Sequence, residues 1–386
     1  MPAMIYLDYA ATTPLDARVF DAMRPCFDEN FGNPSSVHRY GQRAEAMLEN
    51  ARESVARALN CLPEEIIFTS GGSESDNLAL RGVLMATRKL GAEILTSRAE
   101  HPAVSKTALD LAKNYGFSLR WLEVDEFGRV TPETLEKTIS PQTALVSLMY
   151  ANNEIGSLNP IAGLTAVARA RGIPFHTDAV QAAAYLPLDV QTLGVDLLSL
   201  GGHKFYGPKG IGALFVRKGT PLAAQITGGG QEAGRRAGTS NIPLIVGLAR
   251  ALELTAAERE ARAAHVRPLR DHLIGQVLES IPAARLTGHP SERLPNHASF
   301  AFQGVDGNLL LTLLDAAGFA CSSGSACKTG NPEPSEVVSA LGLPREWALG
   351  SLRVTLGRDS SAAEVDSFLQ ALPALVEKAR RLVVGS

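Results

Sequence analysis

Residues 64–91 read EEIIFTSGGSESDNLALRGVLMATRKLG. EEIIFTSGG (64–72) has the form of a short apolar strand running into a glycine turn. SESDNLALRGVLMATRKLG (73–91) has the texture of a helix closed by Gly91. The same unit recurs downstream. AEILTSRAEHPAV, FSLRWLEVD, TALVSLMYANNE, GIPFHTDAVQ, VDLLSLGGHKF and KGIGALFVRKG are strand-like runs with Gly and Pro between them. Helical segments such as AGLTAVARARG (162–172) separate several of them. Strands that are apolar throughout and alternate with helices predict an α/β fold, with a mostly parallel sheet covered on both faces.

The texture changes after about residue 245. Residues 244–280 are rich in Ala, Leu, Glu and Arg and predict long helices. The shorter strands HASFAFQG, GFACSSG and SLRVTLGR follow, then a last helix from 361. This predicts a large domain over 14–257. A smaller α+β domain takes residues 1–13 and 258–386.

At 386 residues, with 45% hydrophobic and 20% charged residues, the chain is an ordinary globular one. Its net charge of -3 comes without long like-charge runs. Nothing points to a nucleic-acid track or a membrane patch. Four cysteines in this length do not make a disulfide framework. The start, MPAMIYLDYAATTP, lacks the basic and apolar regions of a signal peptide. A cytoplasmic, reducing setting is therefore expected.

Four stretches could carry chemistry. In SLGGHKFYGPKG (199–210), Lys204 follows a strand-like run. It is either a surface lysine in a turn or a lysine placed to form a Schiff base. In GIPFHTDAVQ (172–181), Asp178 ends another run, as a helix cap or as a site residue. An Asp and a Lys at two strand ends are what pyridoxal phosphate requires. The Asp keeps the pyridine nitrogen protonated, and the Lys holds the aldehyde as an imine. FTSGGSESDN (68–77) puts Gly71, Gly72 and Ser73 before a helix, where free N–H groups would bind a phosphate. GGGQEAGRRAGTSN (228–241) is either a loose loop or a second anion contact through Arg235, Arg236 or Thr239. Neither stretch fits the nucleotide motifs G-x-x-x-x-G-K-[ST] or G-x-G-x-x-G.

Together with YLDYAATTP (6–14), FGNPSSVHRYG (31–41), EHPAV (100–104), NNEIG (152–156), HTDAVQ (176–181), HKFYGPKG (203–210), SSGSAC (322–327) and SLRVTLGR (351–358), these stretches carry a resemblance. The chain resembles cysteine desulfurases of the NifS/IscS-like group, in the class V aminotransferase branch of fold-type I pyridoxal-phosphate enzymes. The resemblance implies pyridoxal 5′-phosphate as cofactor, L-cysteine as substrate and a homodimer. Lys204 would carry the cofactor and move the substrate Cα proton. Asp178 would pair with the pyridine N–H, while Gln181 and Asn153 would reach the ring oxygen. His101 would stack on the ring and act as acid or base. Its other reading is a cap on the turn before Pro102. Gly72, Ser73 and His203 would hold the phosphate, with Thr239 reaching in from a second subunit. Arg353 would clamp the substrate carboxylate, with Asn153 beside it; otherwise it is a solvated strand arginine. One position departs from the family pattern. Gly201 stands where a phosphate-binding serine is common, so a hydroxyl is lost there.

Cys327 is the residue the resemblance makes decisive. Its thiolate would take the sulfur of L-cysteine as a persulfide, leaving L-alanine. A Gly/Ser-rich loop of about 321–334 would then carry that sulfur to an acceptor. The acceptor would be an iron–sulfur scaffold protein or another thiolation partner. Cys327 could also be a transient ligand to a cluster shared with such a scaffold. Lys328 beside it would favour the thiolate. Cys321, Cys26 and Cys61 read as structural. Three other enzymes on the same scaffold, a selenocysteine lyase, a cysteine-sulfinate desulfinase and a transaminase, would share Lys204 and Asp178. A non-catalytic sulfur-transfer scaffold would leave both idle.

Overall fold

The computed structural model describes residues 4–87, 89, 91–323 and 333–384. Its centre is a seven-stranded sheet. From edge to edge the strands are Ile66–Thr69, Gly212–Val216, Leu197–Gly201, Phe175–Asp178, Thr143–Ser147, Glu93–Ser97 and Ser118–Leu122. Gly212–Val216 runs antiparallel to both of its neighbours, and the remaining pairs are parallel.

Period-two alternation sends adjacent residues of each strand to opposite faces. Ile67, Ile94, Leu145, Leu197 and Leu214 join one buried cluster, under the helices Gly72–Thr87 and Pro102–Asn114. Ile66, Leu95, Val146, Leu198 and Phe215 join a second, larger cluster on the other face. The strands read as continuous apolar runs because both faces are covered.

Two small sheets lie beyond this one. Ala284–Leu286, His297–Phe302 and Ser351–Thr355 form an antiparallel sheet with His297–Phe302 in the middle. The two-residue strand Ile5–Tyr6 pairs in parallel with Phe319–Ala320. The start of the chain thus reaches across to its last third. Residues 244–280, read as long helices, lie in one 39-residue helix, Ile242–Ser280, with Pro268 inside it. The expected domain boundary at 257/258 falls within this helix. It packs on the helix Arg39–Leu59 at one end and on Ala284–Leu286 and His297–Phe302 at the other.

The segment 228–239 is tied down by one buried carboxylate. Glu232 and Ala233 adopt left-handed backbone angles, with φ of 48° and 55°. Such angles are uncommon for residues with a Cβ and need support from their surroundings. The support is Arg52, which donates from both terminal nitrogens to Glu232, at 2.8 and 2.9 Å. The Phe68 N–H adds a third bond at 3.0 Å. Glu232→Ala leaves a buried guanidinium without its main counter-charge, which costs about 3–5 kcal/mol. Urea denaturation of the variant is expected to show a loss of that size.

Candidate active site

The parallel strands all deliver their carboxyl ends to one edge of the sheet, where open α/β sheets place their sites. Thr69 leads into Gly72 and Ser73, Ser97 into His101, and Ser147 into Asn153. Asp178 ends its own strand, and Gly201 leads into His203 and Lys204. A cavity of about 230 Å³ opens there, and Gly72, Ser73, His101, Asn153, Asp178, Gln181, His203, Lys204 and Arg353 all line it. Asp76, Met149, Val180, Ala10 and Ala11 complete the wall. A cleft of about 850 Å³ beside Tyr150, Pro160 and Arg259 gathers none of the candidates.

Lys204 Nζ donates to the carbonyls of Ala10 at 2.6 Å and Ala11 at 2.8 Å. Gln181 Nε2 donates to the same Ala10 carbonyl at 2.8 Å. Burial, helped by the Arg353 charge, pulls the Lys204 amine down to about 8. A neutral amine keeps two hydrogens, so it can still serve both carbonyls.

Asp178 is buried, and its Oδ1 accepts from the Val180 N–H at 2.8 Å. Burial raises its pKa, while the His101 and Lys204 charges and that N–H oppose the rise. His101 does cap a helix. Its Nδ1 accepts from the Ala103 N–H at 3.1 Å, at the start of Pro102–Asn114. That bond puts the proton of a neutral ring on Nε2. Burial holds the ring's pKa below its ordinary value. The cap and the place in the cavity wall are compatible.

Gly72 and Ser73 begin the helix Gly72–Thr87, whose first N–H groups have no intrahelical acceptor. A Cβ on Gly72 would lie 2.6 Å from Val180 Cγ2, so only glycine lets the two segments approach this closely. His203 Nδ1 meets Thr12 Oγ1 at 3.2 Å, and burial lowers its pKa to about 4.

Arg353 is buried, and one terminal nitrogen donates to the Asn153 carbonyl at 2.9 Å. Its other terminal nitrogen donates to Asp8 Oδ1, also at 2.9 Å. Its Nε and the Asn153 Oδ1 are buried without a partner among the described residues.

Two candidates stand apart. Thr239 lines a separate groove, with Ser70, Arg236 and Gly238. Cys327 lies outside the described residues. Of the other cysteines, burial pushes the Cys61 thiol up to about 12 and raises Cys26 and Cys321 as well. None of these three is poised as a thiolate.

Two parts of the wall escape sequence reasoning. The Ala10–Thr13 backbone acts through carbonyls, which no side-chain pattern reports. Asp76 had a readable signal, since it follows Ser73 by one helical turn and shares its face.

A lysine and an aspartate on neighbouring strands, facing a glycine-bounded helix start, make an open α/β enzyme site. The chain matches the aminotransferase class-V family over residues 5–368 and belongs to that family. It is 45% identical to cysteine desulfurase IscS of Dictyoglomus turgidum, over 99% of this chain and 97% of that protein. It is 46% identical to cysteine desulfurase IscS of Methanosarcina thermophila, over 98% and 93% of the two chains. A solved NifS-like protein superposes with a TM-score of 0.91 at 37% identity, covering 97% of this chain and all of that one.

The Lys204 amine provides a pH test. The folded chain gives up this proton near 8, whereas an unperturbed lysine keeps it to 10.5. Between those values the unfolded chain binds more protons, so this group makes the cofactor-free fold more stable as pH rises. Labelling of Lys204 by an amine-directed reagent, read by peptide mass mapping, is expected to rise with a midpoint near 8. A midpoint matching the surface lysines would contradict it.

Gly201 provides a packing test. A Cβ there would lie 3.4 Å from both the Gly72 nitrogen and Val180 Cγ1, which is ordinary contact. Gly201→Ser therefore fits and brings a hydroxyl beside the start of the helix Gly72–Thr87. Cofactor dissociation is expected to slow about 2- to 10-fold, the worth of one hydrogen bond. Decay of bound-cofactor absorbance under dialysis measures it.

Proposed function

We propose that this protein is a cysteine desulfurase. It uses pyridoxal 5′-phosphate to remove sulfur from L-cysteine, releasing L-alanine and leaving a persulfide on Cys327. One observation carries the reading. Lys204 and Asp178 leave neighbouring strands and meet, in one cavity, the Gly72–Ser73 helix start. The naming of the relatives as cysteine desulfurases supports it.

The residues present suit the cofactor. Asn153 Oδ1 is a buried polar atom without a partner at the cavity wall. Val180 leaves no room for a Cβ at Gly72, so the backbone N–H groups are open to a phosphate. When bound, the cofactor supplies an electron sink that makes the substrate Cα–H acidic.

The chain's own residues do the rest. Lys204 Nζ, whose pKa burial lowers to about 8, would hold the cofactor aldehyde and move the Cα proton. Asp178 would hold the proton on the ring nitrogen. Gln181 and Asn153 would contact the ring oxygen, and His101 would stack on the ring, with its Nε2 proton available to the substrate. Gly72, Ser73, Gly201 and His203 would hold the phosphate. Arg353 binds the substrate carboxylate by exchanging its contact with Asp8. The Cys327 thiolate attacks the substrate sulfur. The carbon–sulfur bond breaks, a sulfur–sulfur bond forms, and Cβ takes a proton to complete L-alanine.

Thr239 belongs to the site of a second copy. Its groove lies off its own cavity, beside a cleft lined by Pro34, Ser35 and Glu232. The neighbouring segment exposes Phe31 at 66% and Val37 at 91%, with Phe31 and Tyr40 rings 5.4 Å apart. An apolar face of this kind suits a homodimer interface. The protein acts in the cytoplasm and passes the Cys327 sulfur to iron–sulfur scaffolds or other thiolation partners. Among the described residues no helix is long and apolar enough to cross a membrane.

The test is sulfide and alanine released from L-cysteine, with reductant, by wild type and Cys327→Ser. Wild type is expected to make both in equal amounts. The variant is expected to lose at least about 100-fold while keeping its bound-cofactor absorbance, in line with the removal of a covalent nucleophile. Unchanged sulfide release by the variant would refute the persulfide route.

A further inference from the structure

The buried acid Asp76 has no task in the scheme above. It sits one helical turn past Ser73 and is 1% exposed. Asp76, His101 and Asp178 each place a polar atom within 4.8 Å of the others. The Asp76 Oδ1 has no hydrogen-bond partner among the described residues.

The groups facing Asp76 do not offer it a counter-charge. His176 Nε2 stands 3.6 Å away, beyond hydrogen-bond reach. That imidazole is already held by Ser147 Oγ at 2.8 Å and Ser199 Oγ at 2.9 Å. Burial keeps its pKa near 3, so it is neutral. Asp178 and Glu100 both repel a charge on Asp76, and only the Ser199 hydroxyl favours one. Asp178 is better served, with His101, Lys204 and the Val180 N–H all favouring its charge. Two carboxyl groups so close in a dry cluster cannot both ionise. The charge therefore belongs to Asp178 and the proton to Asp76.

We propose that Asp76 is a positioning residue: a neutral carboxyl that shares its proton with Asp178 and so keeps that carboxylate single, oriented and aimed at the ring nitrogen of bound pyridoxal phosphate. This rests on the cofactor reading given above. An ionised Asp76 would compete with Asp178 for the ring proton. A missing one would leave Asp178 free to turn away. An amide at the same place would reproduce the neutral donor.

The test compares holoprotein of wild type, Asp76→Asn and Asp76→Ala, with Asp76→Ser replacing the alanine variant if that one fails to fold. Infrared difference spectra between wild type and Asp76→Asn at neutral pH read the proton directly. The pH midpoint of the bound cofactor's visible absorbance and its rate of loss on dialysis read the positioning. The expected result is a protonated-carboxyl C=O band on the wild-type side of the difference spectrum, from which the bands of other buried acids such as Glu100 cancel. Asp76→Asn should keep the wild-type midpoint and rate of loss. The truncated variant should lose cofactor at least about 10-fold faster, about 1.4 kcal/mol, with a displaced midpoint.

Absence of the band, or a midpoint displaced in Asp76→Asn, means that Asp76 is ionised and overturns the proposal. A truncated variant that matches wild type in midpoint and loss rate overturns it too. Wild-type protein that shows no visible chromophore after incubation with pyridoxal phosphate fails the cofactor reading itself. That outcome is distinct from a failure of Asp76 alone.

Discussion

Two backbone carbonyls, of Ala10 and Ala11, hold the Lys204 amine at the floor of the cavity. Much of the site depends on that contact. The segment that provides it is fastened independently. Thr13 bonds the His203 carbonyl through both its N–H and its hydroxyl, and its hydroxyl oxygen accepts from the Tyr206 N–H. Thr12 meets His203, and Gln181 reaches back to Ala10. The strand Ile5–Tyr6 anchors the same segment in a sheet made from the far end of the chain. The lysine is therefore placed by contacts from three sequence regions, and its four-carbon stem has little freedom left to lose.

Burial decides the charge states around it. Asp76, Glu100, Glu154 and Asp178 are pushed toward their neutral forms, as are Lys204, His101 and His203. Desolvation is the largest cause in each case. Glu100 accepts from the Met149 N–H with both oxygens, at 3.0 and 3.1 Å, and still lies near 8. A cavity so poor in settled charge suits a ligand that brings its own phosphate and ring proton. Small changes of environment there move protons that a wetter site would hold fixed.

Much of this was legible in the sequence. The sheet followed from apolar runs at regular intervals, and Asp178 and Lys204 were read at the ends of two such runs, which parallel strands gather at one edge. What stayed hidden depends on contacts across long separations. Ile5–Tyr6 is a strand only because Phe319–Ala320 lies beside it. The left-handed Glu232 is stable only because Arg52 meets it from 180 positions away. Composition marked 244–280 as helical but could not show that it is one rod, because Pro268 removes a helix hydrogen bond and only the packing around it carries the helix through. Asp76 shares a helix face with Ser73, but its setting depends on the fold bringing His176 and Asp178 close to it.

The 39-residue helix has a mechanical consequence. Where two parts of a chain meet through a flexible linker, one can swing against the other like a door. Here one continuous helix packs on Arg39–Leu59 and also on Ala284–Leu286 and His297–Phe302, so a swing between those neighbours would have to bend it. Any tightening around substrate must come as sliding between packed layers, or as a slight bend at Pro268, where the rod lacks a rung.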